Sequence, residues 1–390
     1  MLPLSLFNFV YYWGISLTVA FLPLLFRYKG MSSGEIGLLL SVGPFVAIFA
    51  QPLWGVISDR RQTVKKMILL LLAASLIVST GVFLGGTFSF LFIAMGLFHF
   101  FMSPIQPLTD SLATTYAAEN NVNYGSIRLW GSLGFSVAAF VIGLVVGQIG
   151  IGKIGFVYAG IMILSIAISF LLADSSGKKT PVSLDAIKGT LKNPYYTLFL
   201  GAALLLSIPH RMNDSLLGLY MSELGASEGQ IGAAWTLAAL SEAVVIGVMF
   251  ILMKRFHLLK LIMFAGLLYS LRWMLYSFAS EPGILVLLQA MHSLTFAIFI
   301  VASVQYVATV VPTEMLATGQ AVFFAIFSGV AGIIGSSAGG YFMDAMGASF
   351  VYRAGSASAL AGTLVCAMLL GLAKKKKNHR KKIQTSSMQQ

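Results

Sequence analysis

Leu261-Ile-Met-Phe-Ala-Gly-Leu-Leu-Tyr269-Ser-Leu-Arg272-Trp273-Met-Leu-Tyr-Ser-Phe-Ala279 is an apolar run with one charged side chain, Arg272. A guanidinium placed in hydrocarbon costs roughly 2.5–3.5 kcal/mol and cannot shed its charge, so it demands buried company. The neighbouring runs offer it. Gly229–Leu252 is apolar around the lone acid Glu242, and Ile284–Val311 is apolar around the lone imidazole His292. The pattern predicts that Glu242, Arg272 and His292 meet out of bulk water, with Glu242 as the partner of Arg272.

Composition sets the class. With 58% hydrophobic and 10% charged residues in 390, the chain cannot present the charged surface of a soluble domain. It reads as an integral membrane protein. The net charge of +12 lies in short clusters between apolar runs rather than on one face, which speaks for membrane topology and against a nucleic-acid partner. The single cysteine, Cys366, excludes an intramolecular disulfide. The first run, residues 2–26, is too long for a signal-peptide core and lacks a basic lead, so it reads as a retained span.

Runs of about 20 residues, enough at 1.5 Å per residue to cross the hydrocarbon, lie near 2–26, 35–57, 66–86, 88–115, 126–148, 153–173, 194–221, 229–252, 258–279, 283–311, 315–341 and 349–373. An all-α membrane protein of twelve transmembrane helices follows. Basic residues collect on one side: Arg60, Arg61, Lys65, Lys66, Lys178, Lys179, Lys188, Lys192, Lys254, Arg255, Lys260 and the tail Lys374 to Lys382. Arg27, Lys29, Lys153 and Arg353 lie opposite. The positive-inside rule then makes both termini cytoplasmic and the cell membrane the expected location.

Six spans flank each side of the charged stretch from Asp174 to Asn193. Gly30-Met-Ser32-Ser-Gly34-Glu-Ile36-Gly37 before the second span and Gly225-Ala-Ser227-Glu-Gly229-Gln-Ile231-Gly232 before the eighth share five identities at an offset of 195. A six-plus-six duplication explains both placements. The expected organisation is an N-terminal bundle over 1–173, a cytoplasmic linker over 174–193, a C-terminal bundle over 194–373 and a basic tail over 374–390, which would contact anionic lipid.

The second span ends in Gly55-Val-Ile-Ser-Asp59-Arg60-Arg61, with Lys65-Lys66 beyond. This resembles the loop between spans two and three of the major facilitator superfamily, although that family's second glycine is replaced here. The resemblance implies two six-helix bundles and a gating role for Gly55, Asp59 and Arg60. Span five opens with Tyr124-Gly-Ser-Ile-Arg128-Leu-Trp130-Gly-Ser-Leu-Gly-Phe135, which is similar to the lactose-permease-like branch and its phenylpropionate-transporter group. In that branch, charged residues on spans four, five, eight, nine and ten serve solute and proton. Asp110, Arg128, Glu242, Arg272 and His292 stand on the matching spans. The acid three residues after the span-ten histidine is absent, and Thr295 stands there.

Depth sorts these candidates. Arg272 and His292 both lie about 10–13 Å from the outer boundary, and Glu242 lies near 20 Å, within reach of a long arginine. A carboxylate that loses its cationic partner gains proton affinity, which would make Glu242 a proton switch. Span seven adds His210-Arg211-Met-Asn213-Asp214; Arg211 and Asp214, three apart, form either a solute or coupling network or a self-neutralising helix pair. Asp110 and Arg128 fall within two turns of the cytoplasmic face, as an ion pair closing an inner gate or as solute contacts. Tyr12, Trp130 and Gln305 are further candidates for solute binding. For the membrane aromatics, an interface anchor is the competing role.

No phosphate-binding loop, cofactor motif, clustered metal ligands or large soluble domain occurs. Any work must therefore draw on a gradient. The leading expectation is a monomeric proton-coupled symporter importing a small organic solute, a sugar, nucleoside or aromatic carboxylate, by alternating access. A proton-coupled drug efflux antiporter is the alternative, and a membrane receptor or scaffold is a third. Several buried charges in the second half argue against the scaffold, which gains nothing from carrying them.

Overall fold

The computed structural model describes the chain apart from residues 175–183 and 388–390, and the described residues form helices and short connections without a strand. Residues 175–187 of the expected linker and the basic tail Lys374 to Lys382 lie outside the side chains that are described. The first half comprises α1 (Leu2–Tyr28), α2 (Ser33–Arg61), α3 (Val64–Leu84), α4 (Phe88–Met102), α5 (Ile105–Glu119), α6 (Tyr124–Ile149) and α7 (Ile154–Ser169). A short α8 (Leu184–Leu191) leads to the second half: α9 (Pro194–Glu223), α10 (Glu228–Arg255), α11 (Leu258–Ser277), α12 (Pro282–Leu288), α13 (Ile298–Val310), α14 (Leu316–Phe324) and α15 (Ala331–Ser387).

Ten segments among the described residues are long and apolar enough to cross a membrane. One of them, Thr313–Ala373, is two spans in line, because Gly347 breaks α15 with φ 80° and ψ 165°. A further span, α9, has the length, at 30 residues, but its apolar run is interrupted by His210, Arg211 and Asp214. Ten, one more from the break and α9 make the twelve expected. Where α4 meets α5, the residues before Pro107 include Pro104, whose missing N–H breaks the ladder within one span.

Four of the five repeated identities have a structural cause. Gly30 and Gly225 both take φ +86°, the left-handed turn that ends α1 and α9 and that a side chain would oppose. Ser32 and Ser227 cap the following helices: each hydroxyl accepts the N–H three residues on, and Glu35 or Gln230 returns the bond to the cap N–H at 2.9 and 3.0 Å. Ile36 and Ile231 are buried. Gly37 and Gly232 sit at crossings between the two halves. A Cβ on Gly37 would stand 2.2 Å from the Ser336 carbonyl of α15, and one on Gly232 would stand 2.2 Å from the Ala139 carbonyl of α6. Helices lacking a hydrophobic drive to associate in lipid need such small residues to approach closely.

Both crossings lie toward the end of the molecule where α2 and α10 begin. Two polar contacts between the halves close the same end. Asp344 of α15 accepts the N–H groups of Ser33 at 2.8 Å and Gly34 at 2.6 Å, and Arg27 of α1 pairs with Glu223 of α9 at 3.0 Å. The opposite end differs. There a vestibule of about 840 Å³ is lined by α2 residues including Gly55, Asp59 and Arg60, by Pro107 and Leu108 of α5, and by Ala321 and Ala325 across from them.

Candidate functional site

A cavity of about 350 Å³ lies between the halves. Tyr12 and Val19 of α1 and Arg128, Ser132 and Phe135 of α6 face His210, Arg211 and Asp214 of α9, Trp235 and Glu242 of α10, and His292 and Phe296. Helical spacing explains who takes part. Arg128, Ser132 and Phe135 are four and three residues apart, so they share one side of α6, as Trp235, Ala238, Ala239 and Glu242 do on α10. Trp130, two residues from Arg128, is rotated roughly 200° away. It is 42% exposed and meets Phe9 edge-on instead of lining the cavity. Gln305 is exposed and absent from the lining as well. Neither of these two expected solute contacts lines this cavity.

The arginine at the centre of the sequence argument is fully buried, but its partner is not the one expected. Arg272 makes no ion pair among the described residues, whereas Glu242 lies 3.7 Å from His292. The guanidinium instead meets a row of neutral acceptors. Its Nη2 donates to Gln289 Oε1 and to the Tyr276 hydroxyl at 3.1 Å, and its Nη1 donates to Thr295 Oγ1 at 3.2 Å and faces His292 Nδ1 at 3.4 Å. Trp273 and Tyr276 add ring faces at 4.6 and 5.2 Å. The physical reason is register: Gln289, His292 and Thr295, three residues apart, form one ladder toward α11, and His292 stands between the arginine and the acid.

That ladder runs along an irregular stretch. Helix α12 stops at Leu288, and Ser293–Ala297 is a π-helical segment before α13. Such bulges shift side chains off the regular helical repeat and concentrate at functional sites. Phe296 uses this position to stack on His210, with ring centroids 4.8 Å apart and planes within 5°.

On α9, Arg211 Nη1 donates to Asp214 at 3.1 Å while its other nitrogens reach Ser328 Oγ at 2.9 Å and the Phe327 carbonyl at 3.3 Å. His210 Nε2 lies 3.7 Å from the same carboxylate. The acid is thus shared between two neighbours on its own helix, and all three groups line the cavity.

Asp110 and Arg128, expected either as an ion pair closing an inner gate or as solute contacts, do not pair among the described residues. Asp110 accepts from Gln106 at 3.0 Å and from the Tyr124 hydroxyl at 2.9 Å, so local donors satisfy it. Arg128 lies over the Tyr12 ring at 4.6 Å and faces the cavity. Asp59 and Arg60 line the vestibule, exposed and without an ion pair among the described residues, and Gly55 has open space around it.

Residues absent from the sequence candidates are Gln289, Tyr276 and Phe296. Spacing held a signal for one of them. Gln289 precedes His292 by three residues, so it shares a helix face with a candidate.

A family model described as the MFS_1 like family matches residues 1–354. The chain belongs to the MFS_1 like family. It is therefore a multi-pass membrane transporter. It is similar to the uncharacterized transporter YwbF of Bacillus subtilis (strain 168), with 30% identity over 342 residues, 86% of this chain and 85% of that one. The maltose permease of Geobacillus stearothermophilus is 30% identical over 357 residues, 90% of each chain. Among solved structures, the nucleoside transporter NupG superposes with a TM-score of 0.85 at 16% identity, covering 95% of this chain and 98% of that one, a likeness of fold.

Proposed function

We propose that this MFS_1 like protein is a proton-coupled symporter of the cell membrane, both termini cytoplasmic, which imports a small organic solute of the sugar, nucleoside or aromatic carboxylate class. The observation that carries the reading is the cavity between the halves. It combines an acid, Glu242, within 4 Å of a histidine with aromatic walls from Tyr12, Phe135, Trp235 and Phe296. The walls suit a ring-bearing solute, and the polar groups suit hydroxyl or carboxyl substituents. The names of the maltose permease and of NupG support sugar and nucleoside classes. With cytoplasmic termini, the end closed by Asp344 and the glycine crossings is the outer one, and the vestibule beside Asp59 and Arg60 opens inward. Alternating access would exchange these two closures, with Asp59 and Arg60 gripping neighbouring helix ends when the inner end shuts.

Glu242 is the proposed proton carrier, with Arg128, Tyr12, Arg211 and Asp214 on the solute. The test is uptake of radiolabelled maltose, uridine and 3-phenylpropionate into vesicles carrying the purified protein, with and without an inward proton gradient. Accumulation of one solute only with the gradient supports the reading. Uptake indifferent to the gradient, or expulsion of a hydrophobic cation driven by inward proton flow, would replace it.

A further inference from the structure

Gln289 is the residue whose position no part of the transport reading uses. It is fully buried at the end of α12, and its Oε1 accepts from both Arg272 Nη2 and the Tyr276 hydroxyl, the latter at 3.0 Å. A buried arginine in this position would ordinarily take a carboxylate. The chain places a neutral amide there, then a histidine three residues on and a threonine three beyond that, so the cation is solvated and its charge is left uncancelled.

Donor counting carries the consequence to the acid. Arginine has N–H groups and no acceptor, so His292 Nδ1, which faces Arg272 Nη1, supplies a lone pair. The ring proton is then on Nε2, the atom that faces Glu242 Oε2 at 3.7 Å. Arg272, His292 and Glu242 form a directed row: fixed cation, neutral imidazole with its N–H toward the carboxylate, and carboxylate.

We propose that Gln289 is a positioning residue that holds the Arg272 cation one imidazole away from Glu242 and so tunes the proton affinity of the acid. The proposal rests on the reading of Glu242 as the proton carrier. The other charged and titratable groups facing the cavity, Tyr12 and Arg128 from the first half and His210, Arg211 and Asp214 from α9, are left in place by changes at position 289.

Two substitutions move the acid in opposite directions. Gln289→Glu puts a carboxylate on Arg272 and cancels its charge, so Glu242 should hold its proton to higher pH by about one pH unit. Gln289→Leu removes the acceptor and frees the guanidinium to approach Glu242, so the acid should release its proton at lower pH. Infrared difference spectroscopy of the purified full-length protein in lipid reads this without a solute, because the carboxyl C=O band exists only in the protonated acid. The band missing in Glu242→Gln identifies it. Its midpoint should rise in Gln289→Glu and fall in Gln289→Leu. Midpoints equal to the unsubstituted protein's in both variants, or moving the same way in both, overturn the proposal. A spectrum unchanged by Glu242→Gln would instead overturn the assignment of the proton to Glu242. A merely structural role for Gln289 would weaken protein yield without opposed shifts, and Gln289→Asn, which keeps an amide acceptor, should stay nearest to the parent midpoint.

Discussion

The two halves of the molecule carry the same crossings and unequal polar loads. Each half opens its second span with the same turn, the same capping box and the same glycine against a helix of the other half. The cavity between them is lopsided. Its first-half wall holds Tyr12, Arg128 and Ser132, while the second half brings His210, Arg211, Asp214, Glu242 and His292, with Arg272 directly behind. The shared residues are those that let the two halves pack closely. The residues that hold charge are not shared, because an intramembrane charge is tolerated only where partners satisfy it, and such partners must be assembled once, locally.

The largest effect expected from this inequality is at Glu242. With one proton per solute, a two-unit pH gradient can drive about 100-fold accumulation. Glu242→Gln should abolish it while leaving exchange between equilibrated compartments intact; pH-driven accumulation persisting in that variant would move the proton to His292 or Asp214. Loss of exchange as well would place Glu242 on the solute.

The equivalence of the crossings can be broken next. Valine at Gly37 or at Gly232 needs space that a carbonyl occupies at 2.2 Å, so either variant should hold this end, the outer one in the proposed orientation, apart. A cysteine replacing Val19, which lines the cavity, should then react with an impermeant maleimide from outside on the order of tenfold faster; Cys366 is buried and does not compete. Equal acceleration from both variants confirms that the crossings work alike, and an effect from one alone would end the comparison.

A smaller difference separates the crossings themselves. Asp344 caps the start of α2 from the other half, whereas α6, which crosses α10, contains no acid. Asp344→Asn should raise the same labelling rate by roughly threefold to tenfold, as loss of charge-assisted bonds implies. The least effect belongs to Glu223→Gln, less than about twofold, because the Arg27–Glu223 pair is 37% and 44% exposed.

The sequence by itself determined the membrane class, the twelve spans, the repeated stretch and the turns and caps that start α2 and α10. These follow from run length, from a glycine needed at positive φ and from a serine three residues before Glu35 or Gln230, all local and periodic facts. It also marked Glu242, Arg272, His292, Arg211 and Asp214 as residues that need company. Only the tertiary structure decided which company. The spans are apolar on nearly every side, so no amphipathic stripe announces which face of a helix looks inward, and rotation between helices is set by contacts such as Gly37 on Ser336. Hence type and depth point Arg272 to Glu242, while helix rotation and the π-helical stretch after His292 give it to Gln289, Tyr276 and Thr295. Asp110 and Arg128 parted for the same reason, one turned to Tyr124 and the other to Tyr12.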